Sequence, residues 1–249
     1  MMLAGPEPVL EAHGVEMFLG EGAARVHALK GVSLSVAPGE LTLLMGPSGS
    51  GKSTLLSILG CILKQSKGTV RIAGCATTTL NTEQLAALRR EHIGFVFQSY
   101  NLFPGLTALE NVRTGLAIRG RSAQNTVEAA ARALEAVGLS HRMKSLPGQL
   151  SGGEQQRVAM ARAIVASPGI ILADEPTAAL DSEAGRNVMQ QLQRLSREQG
   201  CAVLVVSHDN RVLAFADRVV GMQDGRILSD NLGAHSVRVS AGPMEARLS

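Results

Sequence analysis

The stretch Gly46-Pro47-Ser48-Gly49-Ser50-Gly51-Lys52-Ser53-Thr54 sets glycines, one lysine and adjacent hydroxyls in a spacing suited to phosphate. Glycines let successive backbone N–H groups turn inward around phosphate oxygens where a Cβ would block the approach. Lys52 adds a point charge for the β- and γ-phosphates, and Ser53 adds a hydroxyl that can ligate Mg²⁺. The apolar run Leu41–Met45 precedes this loop, and Leu55-Leu56-Ser57-Ile58-Leu59 follows it with helical character. Strand, glycine loop and helix in the spacing G-x-x-x-x-G-K-S form the P-loop pattern. The helix start contributes the positive end of its dipole. A Gly/Ser-rich loop matches this pattern by chance now and then. The flanking strand and helix disfavour that reading, and we expect a bound nucleoside triphosphate.

Asp174-Glu175 ends the continuous apolar run Ile170–Ala173. A carboxylate at the C-terminal end of a buried strand, in a chain with a P-loop, suits a Walker B aspartate that holds Mg²⁺. Glu175 directly after it suits a general base that polarises the attacking water. An acidic pair ending a strand in solvent is the plainer alternative. Leu150-Ser151-Gly152-Gly153-Glu154-Gln155-Gln156-Arg157 reads as a second glycine-bearing helix start and a further anion site. Taken singly it is equally well an ordinary serine N-cap.

The elements that must position these groups follow an α/β pattern. Val26–Leu29, Val32–Val36 and Thr69–Gly74 have strand composition, and Pro38-Gly39 marks a turn before the loop strand. Residues 82–92 have helical spacing and lead into the apolar run Ile93–Phe97. From about residue 99 to 166 the character is helical. Thr107-Ala108-Leu109-Glu110 is a capping box, Val127–Val137 stops at Gly138, and a helix from Ser151 runs through Ala166. The apolar run at 170–174 and Ala202–Val206 read as strands buried on both faces. A helix is expected over residues 183–199. Arg218–Met222 and Arg226–Leu228 read as a hairpin around Asp224-Gly225. The tail from Ser229 has little pattern and is expected to be loose.

Composition bounds the class. The 249 residues are 45% hydrophobic and 18% charged, which is globular rather than disordered. Net charge is +3, but the basic residues are scattered and form no nucleic-acid stripe. No window approaches the roughly 20 apolar residues of a membrane span, and the N-terminus lacks the pattern of a secretory signal. Cys61, Cys75 and Cys201 show no C-x-x-C spacing and read as buried or inert thiols. A cytoplasmic protein is expected, peripheral on the inner face of the cell membrane if the basic surface faces anionic lipid.

The chain resembles the ATP-binding subunits of ABC transporters. The residues that carry the resemblance are GPSGSGKST at 46–54, Gln98 after a strand, LSGGEQQR at 150–157, ILADE at 171–175, Ala179-Leu180-Asp181 and Ser207-His208. They occur in family order from about residue 8 to 228, and LSGGEQ after a P-loop is close to diagnostic. The resemblance implies a P-loop NTPase core with an N-terminal antiparallel β subdomain and an inserted α-helical subdomain. It implies one ATP-binding domain, with core about 1–98 and 167–228 and a helical lobe about 99–166. It also implies ATP and Mg²⁺ as cofactors. Gly46 through Thr54 bind phosphate, with Ser53, Gln98 and Asp174 at the metal. Glu175 is the base, His208 the switch residue at the γ-phosphate, and Lys52 acts with them. Ser151, Gly153 and Gln155 reach the γ-phosphate held by a second ATP-binding subunit, and Asp181 communicates across the same interface. Phe18 stacks on adenine, in place of the more usual Tyr.

Finer resemblance is to the lipoprotein-release and macrolide-exporter group, through VHALKGVSLSV at 26–36, IGFVFQSYNLFPGLTALENV at 93–112 and VVSHD at 205–209. Within it, LGCIL at 59–63 and the segment 207–227 look like the DevA-type ATPase of glycolipid exporters. That group implies an integral membrane permease docking near residues 98–112, a homodimer, no nucleic-acid partner, and export of a lipid, lipoprotein or hydrophobic compound. An ABC ATPase of DNA repair or translation is the alternative, disfavoured because a single cassette leaves no room for a coiled-coil insertion. A P-loop kinase or GTPase would have no use for LSGGEQ or His208.

Overall fold

The computed structural model describes residues 7–119 and 123–232. The chain begins with β1 (Leu10–Leu19), β2 (Val26–Val36) and β3 (Leu41–Met45), then α1 (Lys52–Leu59). Strands β4 (Lys67–Ile72) and β5 (Cys75–Ala76) follow, then α2 (Thr82–His92) and β6 (Ile93–Val96). Three helices come next: α3 (Ala108–Ala117), α4 (Ala123–Ala136) and α5 (Gly152–Ile164). The chain continues with β7 (Ile170–Asp174), α6 (Ser182–Gln199), β8 (Ala202–Ser207), β9 (Arg218–Gln223) and β10 (Arg226–Leu232).

Two sheets result. An antiparallel sheet has the order β2-β1-β4-β5, and a six-stranded sheet has the order β10-β9-β3-β8-β7-β6. In the larger sheet β9, β3, β8, β7 and β6 run parallel, and only the β9–β10 pair is antiparallel. The period-2 alternation of a strand explains why the central runs are apolar throughout. Leu44, Ile170, Leu172, Ala202, Leu204 and Val206 face a core shared with α1 and the antiparallel sheet. Their alternates Leu41, Leu43, Ile171, Ala173, Val203 and Val205 face Val188, Met189, Leu192 and Leu195 of α6. Helices α3, α4 and α5 form a third cluster of their own around Val112, Leu134, Val158 and Ala161.

Two expectations are corrected. Residues 229–232 are not loose: Ser229, Asp230, Asn231 and Leu232 pair with Gly221, Val220, Val219 and Arg218. Arg218 holds this extension, since its Nε and Nη2 both donate to the Asp230 carboxylate. The rest of the expected tail lies outside the described residues. Cys75 is exposed, whereas Cys61 and Cys201 are buried with thiols pushed by burial up to about 11 and about 12. Those two are inert at neutral pH.

Candidate active site

The parallel register brings the chemistry to one edge. Met45 pairs with Ser207, and Asp174 with Val206, so three strands end level with one another. The chain leaves β3 into the glycine loop, β7 into Glu175 and β8 into His208. A cleft of about 800 Å³ opens there, lined by Pro47 to Thr54, Gln98, Glu175, His208, Asp224 and Gly225. This is where an open parallel sheet binds ligands.

The loop depends on glycine at two points. Gly51 is the N-cap of α1 with φ of 101°, and a Cβ there would meet Ala28 O at 2.8 Å and Leu29 Cδ2 at 2.9 Å. At Gly46 a Cβ would run into the carbonyl oxygen of Met222. Lys52 is buried, and its Nζ donates to Gly46 O and Pro47 O, each at 2.8 Å. The ammonium is therefore held over the loop by carbonyls that phosphate oxygens can displace. The β9–β10 turn braces the loop from outside, where Gly225 N–H donates to Ser50 O at 3.0 Å.

Ser53 Oγ donates to Asp174 Oδ1 at 3.1 Å. Burial pushes the Asp174 carboxyl above the usual carboxylate range. The Ser53 bond opposes that, the Glu175 charge adds to it, and Lys52 opposes it. Glu175 has a left-handed backbone, φ 46°, fixed by its N–H donating to Val206 O at 2.9 Å. Non-glycine residues in this region cost about 1–3 kcal/mol and concentrate at functional sites. Its carboxylate lies 2.7 Å from His208 Nδ1 and accepts from Ser207 Oγ at 3.4 Å. A carboxylate only accepts, so this contact places the proton on Nδ1 of the imidazole.

The second glycine-bearing helix start is the N-terminus of α5. The Ser151 hydroxyl accepts from Glu154 N at 3.3 Å, and Glu154 Oε2 accepts from Ser151 N at 2.8 Å. Ser151 is exposed, and neither it nor Gly153 nor Gln155 lines the cleft. Asp181 is likewise exposed and caps α6 by accepting from Glu183 N and Ala184 N. These residues fall outside the cleft that holds Lys52, Glu175 and His208.

Phe18 stands off the cleft wall. Its ring stacks on His27 with centroids 4.1 Å apart, and the Arg25 guanidinium carbon lies 4.3 Å from the ring centroid. Leu19, Val26 and His27 line that end of the cleft instead. A composition scan for aromatics misses them, because an aliphatic and an imidazole carry no such signal. Asn111 carries no such signal either. It is fully buried, with Oδ1 accepting from Phe103 N and Nδ2 donating to the carbonyls of Phe103, Leu106 and Thr107. It ties down the loop after Gln98, whose Phe103 ring is 53% exposed. Arg162 of α5 donates to Tyr100 O and Asn101 O in the same loop.

An α/β sheet with a P-loop, strand-end Glu175 and His208 in one cleft, and Asp174 bonded to Ser53 of the loop, has the layout of a P-loop NTPase. The family model for ABC transporters matches residues 29–178, and the chain belongs to that family. It is 45% identical over 222 residues to the macrolide export ATP-binding/permease protein MacB of Aggregatibacter actinomycetemcomitans, 89% of this chain and 34% of that protein. It is 44% identical over 235 residues to MacB of Escherichia coli (strain K12), 94% of this chain and 36% of that protein. The chain thus spans about a third of the length of these curated relatives. Among solved structures it is similar to the ATP-binding cassette MJ0796 in a dimeric post-hydrolysis state bound to ADP and Pi. The TM-score there is 0.84 at 42% identity, covering 90% of this chain and 98% of that one. With cbiO1 of Clostridium perfringens, part of the transporter complex cbiONQ, the TM-score is 0.80 at 28% identity, covering 90% and 88%. Among the described residues no helix is long and apolar enough to cross a membrane.

Proposed function

We propose that this chain is the ATP-hydrolysing motor of an ABC transporter, closing as a homodimer around two ATP. We further propose that it drives export of a lipid, lipoprotein or hydrophobic compound through an integral membrane permease. The observation that carries this reading is a split. Lys52, Glu175 and His208 share one cleft, whereas Ser151, Gly153 and Gln155 stand outside it. A helix start that serves phosphate but lies away from the chain's own phosphate loop fits the ATP of a second copy. The relatives named as macrolide exporters support the direction of transport, and Phe103, exposed in the loop after Gln98, fits docking of the permease at residues 98–112. Such a motor sits in the cytoplasm, peripheral on the inner face of the membrane. The motor-and-permease relatives give no support to a DNA-repair or translation role.

In this reading Gly46 to Thr54 cup the triphosphate, and Lys52 exchanges its carbonyl partners for β- and γ-phosphate oxygens. Glu175 accepts a proton from the water that attacks the γ-phosphorus as the bond to ADP breaks. His208, oriented by its contact with Glu175, faces the γ-phosphate. Ser53, Asp174 and Gln98 supply the hard oxygen donors that suit Mg²⁺, and the 3.1 Å approach of Ser53 to Asp174 is compatible with a shared ion. Mg²⁺ bound there would neutralise charge on the β- and γ-phosphates.

The test is Glu175→Gln. Removing a general base typically costs on the order of 10²- to 10⁴-fold in rate. The variant is expected to bind ATP, hydrolyse it at least about a hundredfold more slowly, and elute as a dimer with ATP and Mg²⁺. A variant that stays monomeric with ATP bound would rule out the sandwich.

A further inference from the structure

A second network joins the loop that carries Asp181 to the base. Arg211 lies in the 3-10 turn Asn210–Phe215, just after His208. Its Nη1 donates to Ser182 Oγ at 2.8 Å, and its Nε donates to Asp209 Oδ2 at 2.7 Å. Asp209 Oδ1 accepts from Arg211 N at 2.9 Å, and Asp209 N donates to Ser207 Oγ at 3.1 Å. The Ser207 hydroxyl keeps its own proton for Glu175 Oε2, at 3.4 Å. Every donor along this path meets an acceptor: Arg211 donates both to Ser182 and to Asp209, and the Asp209 N–H and the Ser207 hydroxyl carry the contact on to Glu175.

Two features show that this path is more than packing. The Arg211 side chain is 57% exposed, and it borders a cavity of about 420 Å³ lined also by Thr177, Ser182 and Asp209. An exposed link beside a cavity adds little to stability. Both of its ends nevertheless sit at functional points. Ser182 follows the exposed Asp181, whose carboxylate caps α6. Ser207 touches the carboxylate that carries the strained backbone.

We propose that Arg211 and Ser182 are positioning residues. They hold the Asp181 loop in register with Ser207 and so set the orientation of the Glu175 carboxylate, letting a second copy engaging Asp181 act on hydrolysis in the first. This rests on the ATPase reading above. A rigid link works without new contacts to ATP, so it changes turnover and leaves nucleotide affinity alone.

The experiment measures steady-state ATP hydrolysis and amide hydrogen exchange on the full chain. It compares the unaltered protein with Ser182→Ala, Ser182→Thr, Arg211→Ala and the double variant Ser182→Ala/Arg211→Ala. A link worth one ordinary hydrogen bond corresponds to roughly fivefold in kcat. Ser182→Ala and Arg211→Ala should each lose that much, with KM within about twofold, and the double variant should lose no more than either single. Ser182→Thr restores the hydroxyl and should restore kcat. Without nucleotide, exchange at the Asp209 amide should speed up in Ser182→Ala and not in Ser182→Thr. Unchanged exchange at Asp209, unchanged kcat, or losses that multiply in the double variant would each overturn the link. If the unaltered chain turns over no ATP, the ATPase reading falls, and the exchange measurement still decides whether the link exists.

Discussion

Lys52 and Gly51 act on each other through a single turn of backbone. The left-handed Gly51 lets α1 begin where Lys52 can fold its ammonium back over Gly46 O and Pro47 O. Gly51→Ala therefore meets two penalties, a Cβ in a left-handed conformation and contact with Ala28 O at 2.8 Å. Together these cost roughly 1–3 kcal/mol or more. Thermal melting should fall accordingly, and titration with ATP should show little binding. These side chains were legible because their chemistry is tied to spacing: glycine, lysine and hydroxyl at fixed intervals have few other uses. Phe18 was harder to place, since a lone ring on a strand is equally suited to a ligand or to its cross-strand neighbour. Its register partner His27 took it.

At the level of elements, helices announced themselves through caps. Thr107 makes the capping box that its sequence suggests, Ser151 caps α5, and α2 begins and ends where its spacing says, with Asn81 as a further cap that the spacing alone does not show. Contacts far apart in sequence leave no local trace. The extension of β10 to Leu232 depends on Arg218 and Asp230, which no local pattern links. Asn111 looks like an ordinary helical residue until the loop it holds is seen. Asn111→Ala would leave the Phe103 N–H and the Leu106 carbonyl without the Asn111 amide, whereas Phe103 O and Thr107 O keep the backbone donors Leu106 N and Asn111 N. Each orphaned buried group costs about 1–3 kcal/mol. We expect a clear drop in melting temperature, and faster proteolysis between residues 98 and 107.

The start of α5 also responds to acid. The bond from Ser151 N–H holds the Glu154 carboxyl below its usual range, opposed by burial and reinforced by the Ser151 hydroxyl and Arg142. A carboxylate whose folded pKa is depressed contributes stability above its unfolded pKa and loses it as pH falls through the folded value. Glu154→Gln keeps a carbonyl acceptor for Ser151 N–H but removes the charge. The unaltered chain should therefore lose stability relative to Glu154→Gln only as pH drops below about 4.3, the usual glutamate value. Unfolding curves at pH 7 and pH 3 measure the difference.

For the whole molecule, the consequence of the split between cleft and α5 is kinetic. If each ATP needs Ser151 of another copy, hydrolysis per chain must rise with protein concentration and level off once dimers dominate. A Ser151→Ala chain mixed with a Lys52→Ala chain should then show composite sites of both kinds, one doubly damaged and one intact, and recover activity above either alone. The buried strands behind this geometry were readable as apolar runs. The pairing of those runs was not, because β3 meets β8 across more than a hundred residues of sequence. The motif order, known through the family, supplied what spacing could not.

The left-handed Glu175 has an implication for anyone improving this chain. Glycine and asparagine accept that backbone at lower cost than glutamate does. A screen that rewards heat resistance alone would therefore tend to replace the residue we assign as the general base. Robustness and turnover compete here at one φ angle, and libraries built on this scaffold should hold position 175 fixed.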